Sequence, residues 1–283
     1  MTRINVSTGG FNYQKAEKTA KDFIDSGIKN IELSGGKYDP NVLTNINNLR
    51  DKAYFAVHNY FPPPNKSFVL NLGSTNSYIY EKSINHVKKA IDLCKKIKSQ
   101  EYSIHAGFRL DPEVNELGEK ISAKRKLTSK KECEENFYSA LEEINFYGQI
   151  KGVKIYIENN VVTKGNHKQF DENPFLLSDA KDFFSFLEKR PKDIKLLIDV
   201  AHLKVSANTL NYNPKDLLSA LKKETSAYHL SDNDGLADTN EPITNKSWFW
   251  EYINHKADFY TLEIYRKSPS FLNSQVDLVS SNL

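Results

Sequence analysis

Cysteine is nearly absent from this 283-residue chain, which holds only Cys94 and Cys133. Two distant thiols cannot build a disulfide framework, and neither has the neighbouring cysteine of a thiolate zinc site. Neither is assigned a role, and a reducing, cytoplasmic setting is the expectation. Arginine is scarce as well, with 6 against 33 lysines. The first residues, MTRINVSTGG, lack the apolar run of a secretory leader. No stretch reaches the roughly 18 apolar residues of a membrane helix, which argues against a membrane partner. A net charge of +3 provides no global excess to attract nucleic acid. No glycine-rich phosphate loop follows the first apolar run, which counts against a doubly wound nucleotide-binding sheet.

What is present is an alternation of short apolar runs and longer amphipathic ones. The short runs are Ile4–Thr8, Asn30–Ser34, Tyr54–Asn59, Tyr102–Ala106, Lys154–Asn159, Lys195–Val200, Ala227–Ser231 and Phe259–Tyr265. Several are apolar on both faces, as in IYIE and LLIDV, and therefore read as buried parallel strands. Between them, helical periodicity predicts helices at Gln14–Ser26, Pro40–Arg50, Ile79–Lys98, Lys130–Tyr147, Leu177–Lys189, Pro214–Lys223 and Ser247–Asn254, with a weaker one after Ser268. Eight strand–helix units at this length predict a (β/α)8 TIM barrel, a single domain over residues 1–283. Loop lengths agree. Helix-to-strand links such as Gly27–Lys29 are short, whereas Phe108–Ser129, Asn160–Leu176 and Asp232–Lys246 are long. Long loops at one end only are the mark of a barrel whose site lies at the C-terminal face of its strands.

The strand ends carry the chemistry. In order they present Glu32, His58, His105, Glu158, Asp199 with His202 three residues on, His229 with Asp232, and Glu263. Each alone could be a hydrogen-bonded structural group. Together, ionisable residues at the same end of otherwise apolar strands are costly unless paired or bound to a cation. In a barrel those ends converge, and several carboxylates in one small volume repel. The joint pattern predicts a metal centre built from imidazole and carboxylate, suited to Zn²⁺, Mn²⁺, Co²⁺ or Fe²⁺. Arg109, just after HAGF, is placed to meet an anionic substrate, and Lys124-Arg125-Lys126 with Lys130 and Lys131 forms a basic run. Trp248, Phe249 and Trp250 read as a helix packed on the barrel, and Phe61-Pro62-Pro63-Pro64 as a stiff rim segment.

Over nearly the whole chain, from the first strand through Glu263, these spaced motifs resemble the xylose isomerase-like TIM-barrel superfamily. It includes sugar and sugar-phosphate isomerases and epimerases and the endonuclease IV repair enzymes. The epimerase branch implies one metal held by Glu158, Asp199, His229 and Glu263, with the two glutamates moving protons and His202 touching substrate. The endonuclease IV branch is similar in FVLNLG at Phe68–Gly73 and EKS at Glu81–Ser83. It implies His58 and His105 on a first zinc, Glu158 bridging to a second on Asp199, His229 and Glu263, and His202 with Asp238 on a third. That third ion also requires a histidine two residues after the aspartate, where this chain has Asn240. The glycine-rich segment that follows in the repair enzymes is replaced by Glu241-Pro242-Ile243.

The resemblance therefore implies a divalent-metal-dependent isomerase or epimerase of a small sugar or sugar phosphate, using one or two ions of Zn, Mn or Co. Glu158, Glu263 and His202 are the expected catalytic residues. Glu158, Asp199, His229, Glu263, His58 and His105 are the expected metal ligands, and Glu32, Arg109, Asp232 and Asp238 the expected substrate contacts. A homodimer is compatible with this class. The alternative is an endonuclease IV-like phosphodiester hydrolase, which the near-neutral charge and few arginines disfavour.

Overall fold

A computed structural model describes residues 2–116 and 120–283. Positions 117–119, in the predicted Phe108–Ser129 loop, lie outside the described residues. Eight parallel strands pair in sequence order and close into a barrel: β1 (Arg3–Ser7), β2 (Asn30–Leu33), β3 (Tyr54–His58), β4 (Glu101–His105), β5 (Lys154–Glu158), β6 (Lys195–Asp199), β7 (Thr225–Leu230) and β8 (Phe259–Leu262). Around them lie α1 (Ala16–Asp25), α2 (Val42–Asn47), α3 (Ser77–Ile97), α4 (Lys130–Lys151), α5 (Lys164–Phe170), α6 (Ala180–Lys189), α7 (Val200–Leu210), α8 (Pro214–Leu221) and α9 (Pro269–Asn282). The strands are buried on both faces almost throughout, which accounts for their unbroken apolar runs.

Inside the barrel, Tyr156, Leu197, Ala227 and Phe259 form a separate buried cluster low in the stave ring. Side chains alternate along a strand, so the residue two positions later points the same way. Two positions on are Glu158, Asp199, His229 and Thr261, and the apolar floor gives way to a polar layer toward the strand ends. Pairing register places Asp199 beside His229 and His229 beside Thr261. The bottom is closed by Arg3, which pairs with Glu101 at 2.9 Å and covers the rings of Tyr54 and Phe259.

Four expectations need correction. The loop after β5 is interrupted by α5, capped by Thr163. A helix absent from the periodicity reading, α7, starts directly after β6. Its residues Val200–Leu203 and Val205–Ala207 are all buried, so it lacks the polar stripe that periodicity would detect. Conversely, the stretch Ser247–Asn254 forms turns rather than a helix among the described residues. Phe249, Trp250 and Ile253 are buried there, and Trp250 Nε1 donates to the Thr244 carbonyl at 2.8 Å. The aromatic cluster is thus core, as its composition suggested, but tied by side-chain hydrogen bonds. Strand β8 also ends at Leu262, short of Tyr265. Glu263 stays fixed because its backbone N–H donates to the Leu230 carbonyl at 3.1 Å.

Candidate metal centre at the barrel mouth

Glu158, at the end of β5, is the hub. It is fully buried, and neither carboxylate oxygen has a hydrogen-bond partner among the described residues. Four histidines surround it. His229 Nδ1 lies 3.3 Å from Oε2 and His202 Nδ1 lies 3.4 Å from Oε1. His58 Nε2 and His105 Nδ1 are at 3.6 and 3.8 Å. Glu263 completes the near side, with Oε1 3.6 Å from His229 Nδ1. Asp199 caps the start of α7 by accepting from the His202 N–H at 2.7 Å, leaving its second oxygen, Oδ2, unpaired. That capping bond explains the three-residue spacing of Asp199 and His202: the side chain of an N-cap residue reaches the third amide of its helix.

Side chains outside the sequence-derived set hold these donors in place. Ser103 pairs with His58 Nδ1 at 3.0 Å. Asn159 accepts from the Asp199 N–H at 2.8 Å and its own carbonyl meets His202 Nδ1 at 3.0 Å. Ser7 donates to Glu263 at 3.4 Å and Thr261 to Glu32 at 3.0 Å. For two of them the signal was a polar residue two positions below a strand-end ligand, Ser103 below His105 and Thr261 below Glu263.

Electrostatics divides the acids. Burial alone would raise Glu158, but His105, His229 and His58 beside it drive its carboxyl well below the usual range. Burial raises Glu263 well above that range against the pull of His229, and Glu158, Asp199 and Glu32 add to the rise. Burial also pushes Asp199 up to about 6. His105 is pushed down to about 3 by burial and so stays neutral. His229 and His202 rise against burial, His229 because Glu158, Glu32 and Glu263 face it and His202 because Asp199 and Asp238 do.

The expected substrate contacts separate. Glu32 is fully buried, 3.2 Å from His229 Nε2. Asp238 reaches the centre, 3.1 Å from His202 Nε2. Asp232 lies on the rim and is engaged by Lys204 at 2.8 Å and Ser247 at 2.9 Å. Arg109 is taken up by the loops: its guanidinium pairs with Glu172 at 2.7 Å and donates to the carbonyls of Thr128 and Asn173. In the basic run, Arg125 pairs with Glu113 and Glu116, Lys130 with Asp182 and Lys131 with Glu135, so much of it staples loops and helices.

The donor set fits a divalent cation. His58, His105 and Glu158 each offer an atom within 4.8 Å of the others, as do Glu158, Asp199 and His202, and Asp199, His229 and Glu263. Buried, orphaned carboxylate oxygens and the unpaired ring nitrogens of His105 and His229 are the atoms such an ion would satisfy.

Solved structures share the fold at low identity. A D-tagatose 3-epimerase-like protein is 18% identical, with 99% of each chain covered and a TM-score of 0.69. The D-allulose 3-epimerase of a Methylomonas species is 14% identical, with 100% of this chain and 98% of that one covered and a TM-score of 0.67. An AP endonuclease, family 2, of Brucella melitensis is 11% identical, with 96% of each covered and a TM-score of 0.65. No curated protein matches the chain in sequence. The xylose isomerase-like TIM barrel family model matches residues 23–263, and the chain belongs to that family.

Proposed function

We propose that this chain is a divalent-metal-dependent isomerase or epimerase of a small sugar or sugar phosphate. The observation that carries the reading is the pair of glutamates, Glu158 and Glu263, facing one histidine nitrogen, His229 Nδ1, from two sides of the cavity at 3.3 and 3.6 Å. Two carboxyls in one buried cavity are the equipment for taking a proton from one face of a carbon and returning one on the other. Glu158 and Glu263 serve as the proton-transfer pair, one taking the proton as base and the other returning one as acid. Glu158, Asp199, His229 and Glu263 would hold the ion. A bound divalent ion polarises the substrate carbonyl and acidifies the adjacent carbon-bound proton. His202 is the histidine placed against the substrate; its ring nitrogens are held by the Asn159 carbonyl and by Asp238, so a bond to a substrate oxygen would replace the one to Asp238. That several structural neighbours are sugar 3-epimerases or resemble one supports a small carbohydrate substrate.

One observation favours a second reading. His58, His105 and Glu158 form a further donor triad, beyond the four residues that one ion needs. Such a triad suits the multi-ion phosphodiester hydrolysis suggested by the endonuclease neighbour. Against it, the third-ion pattern is broken at Asn240, whose backbone adopts φ 51° and whose carbonyl is bound by the Tyr265 N–H at 3.1 Å. Metal content of the purified protein separates the two. One exchangeable Mn²⁺ or Co²⁺ per chain supports the isomerase, whereas two or more tightly held Zn²⁺, with nicking of abasic-site DNA, would overturn it.

A further inference from the structure

We infer that Glu32 is a positioning residue that sets which ring nitrogen of His229 faces the ion, rather than a residue that touches substrate. The inference rests on the metal-dependent reading above.

His229 points its two nitrogens in opposite directions. Nδ1 looks into the cavity, toward Glu158 at 3.3 Å and Glu263 at 3.6 Å, and has no hydrogen-bond partner. Nε2 looks outward to Glu32 Oε2 at 3.2 Å. A carboxylate only accepts hydrogen bonds, so this contact requires a proton on Nε2; in the neutral ring that a cation would bind, Nδ1 then carries the lone pair. An acidic partner behind a ligating imidazole fixes the ring and raises its basicity.

Glu32 is itself held from behind. Thr261 Oγ1 donates to the same oxygen, Oε2, at 3.0 Å, and Asn5 Nδ2 donates to Thr261 at 3.3 Å. Barrel closure supplies that chain of contacts. β8 lies between β1 and β7, and the register sets Thr261 beside both Asn5 and His229. All four residues are fully buried. A carboxylate in that location is shielded from anything entering the mouth.

Glu32, His58 and His229 also offer atoms within 4.8 Å of one another, so direct ligation by Glu32 is the competing geometry. Glu32 Oε2 is committed to His229 and Thr261 and His58 Nδ1 to Ser103, while Glu32 Oε1 has no hydrogen-bond partner among the described residues, so the number of ions bound decides between the two geometries.

The test is zinc binding to the intact, metal-stripped protein by chelator competition, with ¹⁵N spectra of the histidine rings in the loaded form. Glu32→Gln keeps the shape but lets an amide present either N–H or oxygen to His229. Expected is unchanged stoichiometry, affinity weaker by roughly 10- to 100-fold, and loss of the single Nε2–H tautomer. Thr261→Val, which keeps Glu32, is expected to weaken zinc by a smaller factor, and it carries the test should Glu32→Gln fail to fold. Affinity within twofold of wild type, with the tautomer retained, would overturn the inference while leaving the metal reading intact. Loss of one ion per chain would instead make Glu32 a ligand and also overturn it. Failure of the wild type itself to bind zinc, Mn²⁺ or Co²⁺ would overturn the metal reading, and the role of Glu32 with it.

Discussion

Glu158 and Glu263 share one buried volume and yet are shifted in opposite directions, because four histidines crowd Glu158 while Glu263 is buried against one histidine and several acids. Residue type and position gave both away in the sequence, since a carboxylate ending an apolar strand has few bland explanations. Residues whose only mark is polarity were less visible. Thr261, Asn5 and Ser103 lie in apolar strands and act through another side chain, so nothing but the period of two points to them. A titratable residue outside the centre allows a separate check. His86 on α3 is buried against Tyr60 and Phe68, with Nε2 unpaired, and burial pushes it down to about 4 from an ordinary 6.5. The unfolded chain then takes up that proton first, so the stability tied to neutral His86 is complete above about pH 6.5 and is lost as the pH falls toward 4. The loss amounts to roughly 3 kcal/mol at the bottom of that window. Urea unfolding of wild type and His86→Phe between pH 7 and 5 checks it. The difference between the two should shrink or reverse as the pH falls, and a constant difference would sink the assignment.

At the scale of elements, an asparagine joins the loop after β3 to the loop after β4. Asn71 lies in the FVLNLG stretch after β3. Its amide donates to the carbonyls of Phe108 and Leu110 and to Asp111, and its oxygen accepts from the N–H groups of Gly73 and Phe108. Gly107 lies so close that a Cβ there would come within 2.5 Å of the Gly73 nitrogen, so this crossing tolerates no side chain. The sequence marked the stretch as a family motif. The structure gives it a physical task, locking the loop after β3 to the loop after β4. Asn71→Ala strands several buried groups at about 1 kcal/mol each, which should cost ~2–4 kcal/mol in urea unfolding. Hydrogen exchange should rise in both loops with the strands unaffected, and uniform exchange across the barrel would contradict the locking role. Strands were easier to read than helices because burial on both faces leaves an unbroken apolar run. Helix α7 escaped for the same reason: burial on most sides erased its stripe. The turns at Ser247–Asn254 misled because their aromatic residues fall at helix-compatible spacing while Thr244, Ser247 and Asn254 bond the chain into turns.

At the scale of the whole molecule, closure of the barrel gathers seven strand ends into one cavity. The sequence showed the acids and histidines at those ends, and closure places them within a few ångströms of one another. What the linear pattern did not reveal is which rim residues face inward. Arg109 reads as a substrate contact in the sequence because it follows a strand-end histidine, yet its guanidinium knits two loops. Substrate choice is therefore left to groups that only the folded rim assembles. The central claim is that this cavity moves a proton on a small sugar, and hydrogen exchange with solvent tests it most directly. The measurement is deuterium uptake from D₂O into a panel of ketoses and ketose phosphates by the Mn²⁺-loaded protein. Expected is incorporation at the carbon next to the carbonyl in at least one substrate, reduced by roughly 10²- to 10⁴-fold in Glu158→Gln and Glu263→Gln. Absence of uptake from every sugar by metal-loaded wild type, or uptake undiminished in both variants, would contradict it.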